Sequence, residues 1–86
     1  MKLKDSFITQ EIDGTQFLVS LGGEHFGGLV RSNPSAAFIV DRLREETDRA
    51  QIVDAMCRKY DAPREVIDAD VGRILQILRS IGALEE

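Results

Sequence analysis

Gly28-Leu29-Val30-Arg31-Ser32-Asn33-Pro34-Ser35-Ala36-Ala37-Phe38-Ile39 carries the change of period that decides how this chain folds. Up to Arg31 the residues suit an extended segment, and from Asn33 onward they suit a helix. Asparagine is a strong N-cap because its side-chain oxygen accepts from an otherwise orphaned amide of the first turn. Pro34 at the first helical position loses nothing by lacking an N–H. Ala36, Ile39, Val40 and Leu43 then recur at the spacing of one helical face, so a first helix is expected over about 34–43.

Upstream of this junction the chain reads as strands and turns. Five of the seven glycines (Gly14, Gly22, Gly23, Gly27, Gly28) precede residue 30. Phe7 to Ile12 is a short run of strand formers that stops at Asp13-Gly14, a dipeptide suited to the positive φ of a tight hairpin turn. Residues 17–21 alternate, with Phe17, Val19 and Leu21 on one side and Leu18 and Ser20 on the other. After the turn signal Gly22-Gly23-Glu24, a third extended segment is expected over about 26–31. Sequential strands are usually neighbours, which makes this a three-stranded antiparallel meander.

Downstream, two more helices are expected. Thr47 is an N-cap candidate with Asp48 in the first turn, and the second helix should bury Ile52, Val53, Met56 and Tyr60. Pro63 opens the third helix, which ends at Gly82 with Arg79 in its last turn. Ile67, Val71, Ile74, Leu78 and Ile81 fall within a narrow arc and form its core stripe. Leu75 widens that stripe on one side, while Val66, Asp70, Arg73 and Ile77 line the other. The fold class is therefore α+β, a meander followed by three helices, in one domain spanning residues 1–86. At 86 residues a second domain has no room.

Composition narrows the function. Hydrophobic residues at 43% place the chain in the globular range, away from intrinsic disorder. A net charge of −4 disfavours non-specific nucleic-acid binding, which needs a cationic surface. No Lys or Arg occurs between Lys4 and Arg31, whereas Asp5, Glu11, Asp13 and Glu24 all fall there. With Cys57 as the one cysteine, an internal disulfide is excluded and a reducing, cytoplasmic compartment fits. The N-terminal residues lack a signal-peptide core, and no apolar run is long enough to span a bilayer, so no membrane partner is expected.

Catalytic signatures are sparse. His25 and Cys57 lie 32 positions apart, too far and too few for a zinc site; they read as an exposed turn histidine and a half-buried structural thiol. Gly27-Gly28 is followed by neither a Gly-x-Gly-x-x-Gly pattern nor a Gly-Lys-[Ser/Thr], so a phosphate loop is not indicated. The pairs Glu45-Glu46 and Glu85-Glu86 sit at chain positions where a solvated surface explains them. Two features remain. The third strand is an outer strand of the meander, and its glycines either accept an added peptide strand or form a bulge. Val66 and Ile77 are either extra core or one wall of a docking groove.

The run Gly28 to Ile39, continuing through Leu43, resembles coenzyme PQQ synthesis protein D. So do the patterns Thr47-x4-Ile52-Val53-x6-Tyr60 and Asp70-Val71-x2-Ile74-Leu75-x2-Leu78-x3-Gly82. The resemblance covers about residues 12–84 and extends to the PqqD-like recognition elements of ribosomally made peptide pathways. It implies a winged helix-turn-helix-like fold and a leader-peptide-binding role without a cofactor. The leader would pair as a strand on Phe26, Gly27, Gly28, Leu29, Val30 and Arg31 and lie against Val66, Asp70, Arg73 and Ile77. The partners implied are a precursor leader and a separate modifying enzyme, such as a radical S-adenosylmethionine maturase. The alternative is a winged-helix DNA-binding regulator, against which stand the lack of Lys or Arg in the hairpins and the acidic residues that balance Arg64, Arg73 and Arg79.

Overall fold

A computed structural model describes the backbone of residues 1–20 and 29–86 and the side chains of 1–20 and 33–86. Eight elements follow in chain order: β1 (Lys2–Leu3), β2 (Phe7–Ile12), β3 (Thr15–Ser20), β4 (Leu29–Ser32), α1 (Pro34–Arg42), α2 (Arg49–Lys59), α3 (Arg64–Ser80) and β5 (Leu84–Glu85). This is the expected α+β order, with one addition. The antiparallel sheet β2-β3-β4 is the meander, and a second sheet pairs β1 with β5, Lys2 opposite Glu85 and Leu3 opposite Leu84.

The hairpin joining β2 and β3 closes as its sequence dictates. Ile12 pairs with Thr15, leaving a two-residue loop in which Asp13 has φ 51° and Gly14 has φ 78°. Positive φ at both central positions is the turn whose twist matches that of the flanking strands. Alternation then sets the faces: Phe7 and Leu18 are buried against the helices, while Ile8, Gln10 and Ile12 face away from them.

Asn33 caps α1 as expected, its side chain accepting from the Ala36 amide at 2.8 Å, and Pro34 takes the first helical position. Ala36, Ile39, Val40 and Leu43 are all buried. On α2 the cap is Asp48 rather than Thr47: the Asp48 carboxylate accepts from the Gln51 amide at 2.8 Å, while the Thr47 hydroxyl donates to the Gln51 side chain. Aspartate at this position combines the capping bond with a charge favoured by the helix dipole, which threonine lacks. Tyr60 is half-buried at the C-cap of α2, where the chain has already turned extended.

The end of α3 is a Schellman motif. Ala83 N–H donates to the Leu78 carbonyl at 2.9 Å and Gly82 N–H to the Arg79 carbonyl at 3.0 Å, with Gly82 at φ 74°. This reversal buries Ala83 and delivers Leu84 to β5. The terminal strands are tied in further, since Leu3 N–H donates to the Leu43 carbonyl and Lys4 N–H to the Ala83 carbonyl, both at 2.8 Å. One core results, with Leu18, Ile39, Val40, Leu43, Ile52, Val71 and Leu75 essentially shielded from water. Among the described residues no helix is long and apolar enough to cross a membrane.

Candidate functional site: a sheet edge and the free flank of α3

β4 lies at one margin of the meander. Leu18 pairs with Val30, Phe17 with Arg31 and Val19 with Leu29. Its far edge has no strand partner among the described residues. Each unpaired backbone group along such an edge is a donor or acceptor available to an extended peptide. Of the residues expected to supply this strand, Leu29, Val30 and Arg31 fall in β4; Phe26, Gly27 and Gly28 lie outside the described residues, as does His25.

Helix α3 has two flanks on either side of its core stripe, and α2 covers one of them. The Arg49 guanidinium, at the start of α2, grips Asp68 with Nε 3.0 Å from one carboxylate oxygen and Nη2 3.2 Å from the other; Nη2 also donates to the Asp68 backbone carbonyl at 3.0 Å. It lies flat over Gly72, where a Cβ would stand 2.6 Å from Nη2 and 2.9 Å from Cζ. Arg64 pairs with Asp54 of α2, and the hydrogen bond to that carboxylate raises the Arg64 pKa further above its ordinary value. At about 100° per residue, Arg64, Asp68, Gly72 and Leu75 lie on one side of the stripe Ile67-Val71-Ile74-Leu78.

Val66, Asp70, Arg73 and Ile77 lie on the opposite side, spaced at intervals of four, three and four residues. Val66 is 50% exposed and Ile77 40%, whereas Leu75 is 1% exposed. Arg73 and Asp70 approach to 4.0 Å, with both side chains about half in water. The free flank thus presents two exposed aliphatic side chains bracketing a loose ion pair. Ile77 is not extra core, and Leu75 is.

Periodicity and local motifs do not single out Arg49 and Asp68, which meet across Gly72 only in the folded chain. Gly72 was the available signal, because a glycine inside a long helix costs about 1 kcal/mol relative to alanine and usually has a packing reason.

Elsewhere the described surface offers little chemistry. An open hollow of about 620 Å³ between the hairpin tip and α1 is lined by Glu11, Thr15, Gln16, Asn33 and Asp41. Gln16 spans it by donating to Asp41 at 3.2 Å. Among the described residues no three His, Cys, Asp or Glu side chains converge.

A three-stranded meander whose outer strand β4 has no further strand partner among the described residues, followed by a helical trio whose last helix keeps one flank exposed, defines a winged helix-turn-helix-like domain. The chain belongs to the PqqD family: the family model described as coenzyme PQQ synthesis protein D matches residues 7–84. Two solved structures share the fold. TbiB1 in complex with the TbiA(beta) leader peptide is 27% identical, with a TM-score of 0.84 over 99% of this chain and 95% of that one. Lasso peptide synthetase B1 complexed with the leader peptide is 20% identical, with a TM-score of 0.80 over 99% and 96%. No curated protein sequence matches this chain.

Proposed function

We propose that this chain is a leader-peptide-binding module of a pathway that matures a ribosomally made peptide. The leader adds as a strand to the free edge of β4, using the backbone of residues 26–31, and rests on Val66 and Ile77. Arg31 and Arg73 meet acidic leader residues, and Asp70 sets the Arg73 side chain. The rest of the precursor is presented to a separate modifying enzyme, such as a radical S-adenosylmethionine maturase, in PQQ or related peptide biosynthesis. The chain itself supplies no catalytic group and needs no cofactor.

The observation that carries this reading is the likeness, over nearly the whole of both chains, to TbiB1, a protein solved with a leader peptide. The open edge and the free α3 flank supply the physical means. A DNA-binding role is disfavoured, because the charged residues of the β2–β3 hairpin, Glu11 and Asp13, are both acidic. Titrating the fluorescently labelled leader of a candidate precursor peptide tests the reading, alongside a mobility-shift arm with duplex DNA. Saturable leader binding with amide shifts concentrated in 26–32 and along α3 is expected. DNA shifted at low micromolar protein, with no leader binding, would overturn the proposal.

A further inference from the structure

On the free flank of α3, Val66, Asp70, Arg73 and Ile77 form a single row. At about 100° per residue they fall within an arc of about 60°. At about 1.5 Å per residue, Asp70, Arg73 and Ile77 stand about 6, 10.5 and 16.5 Å along the axis from Val66. The row therefore runs aliphatic, acid, base, aliphatic. Beside it Ala69, Gln76 and Ser80 are exposed and uncharged. The other charges of α3 are turned elsewhere: Arg64 and Asp68 are engaged with α2, Arg79 with Glu86, and Glu65 lies about 110° round the helix from the row.

An added strand has a repeat that meets this row. Phe7 and Leu18 mark the face of the sheet turned to the helices, and a strand added to the sheet turns every second side chain to that face. Those side chains recur about every 6.6 Å, so on a strand inclined by about 35° to α3 they fall about 5.4, 10.8 and 16.2 Å along the helix axis. Four alternate residues of such a strand thus stand over Val66, Asp70, Arg73 and Ile77 in turn. Asp70 and Arg73 are only loosely joined to each other, at 4.0 Å with both side chains about half in water. An exposed pair of this kind contributes little and is readily exchanged for partners on a second chain. Once a peptide covers them, either charge left without a partner loses its water for nothing.

Resting on the leader-binding reading above, we propose that this row selects the leader by four alternate residues: an aliphatic side chain on Val66, a Lys or Arg at Asp70, an Asp or Glu at Arg73 and a second aliphatic side chain on Ile77. Asp70 then contacts the peptide itself, besides setting Arg73. A leader running against the direction of α3 carries the same four in reverse order. Backbone pairing along β4 supplies affinity for any extended peptide, and the row supplies the choice among them.

Two probes of identical composition test this, Leu-Thr-Lys-Thr-Glu-Thr-Leu and Leu-Thr-Glu-Thr-Lys-Thr-Leu, each flanked by Ser and Gly and titrated into isotope-labelled full-length chain. One of them, chosen by the strand direction, is expected to bind about fivefold tighter and to shift amides in 29–32 and along α3. Asp70→Arg/Arg73→Asp should exchange the order of the two, and since both side chains are about half in water the fold is kept. Moving one Leu of the better probe by a single position, which turns it to the other face of the strand, should cost about tenfold. Equal affinity for the two probes, or an unchanged order in the double variant, would overturn the proposal. If the labelled candidate leader shifts α3 and neither probe does, the row is overturned and the leader-binding reading stands. If no peptide shifts β4 or α3, that reading falls with it.

Discussion

Replacing Ile77 by alanine separates a binding wall from a structural one. Ile77 is 40% exposed on the free flank of α3, so somewhat more than half of the side chain is shielded in the unliganded domain. Three carbons are removed, and at about 0.8 kcal/mol per fully buried methylene the lost shielding costs about 1.5 kcal/mol. Alanine returns a few tenths through its better helix propensity, and a surface position leaves no cavity. The net loss of stability is about 1 kcal/mol, a fall in Tm of about 4–8 °C for a domain of this size. A leader lying on this flank removes the remaining exposure, so the same change weakens binding by about 1 kcal/mol, roughly fivefold in Kd. Calorimetric titration with the leader and a urea melt on the same preparation read both numbers. At 25 °C the variant stays almost wholly folded, so a fivefold loss of affinity cannot come from unfolding. An unchanged Kd, or a stability loss above about 2 kcal/mol with binding that tracks the folded fraction, would refute the placement of the peptide here.

Gly72→Ala alone should be nearly neutral, because about 1 kcal/mol of helix propensity is offset by displacing the exposed Arg49–Asp68 pair, worth up to about 1 kcal/mol. In an Arg49→Ala background the same change should stabilise by about 1 kcal/mol, and denaturation midpoints of the four proteins measure the coupling. Gly82→Ala should destabilise by about 1 kcal/mol or more, since φ 74° is strained for any residue with a Cβ, and the loss should show first as faster amide exchange at Ala83 and Leu84. Glu86 has its pKa lowered mainly by the hydrogen bond from Arg79. Its contribution to anchoring β5 is therefore fully present above the ordinary value of 4.5 and fades as pH falls below it towards the depressed folded value. Amide shifts of Leu84 and Glu85 followed through an acid titration should report this, and Glu86→Gln should remove the dependence.

Sequence alone determined the elements whose cause is local. Asp13-Gly14 requires its turn because both residues must take positive φ, Asn33-Pro34 begins α1 because one caps and the other fits the first turn, and Gly82 ends α3 because the reversal needs a left-handed residue. The core stripe of α3 and the suspicion attached to Ile77 followed from periodicity in the same way. Thr47 and Asp48 show where local reasoning stopped, because both residues can cap and only the path of the chain into α2 decides between them. The pairing of β1 with β5 had no signal: two residues at each end of the chain have no period, and they meet only after the core has brought the termini together. Which flank of α3 stays free was likewise a tertiary matter. The residues of both flanks are legible in the sequence, but the covering of one by α2 rests on Arg49 reaching Asp68 across Gly72, a contact between side chains about twenty positions apart. Periodicity reports how each helix faces its own axis, and only packing reports what stands opposite.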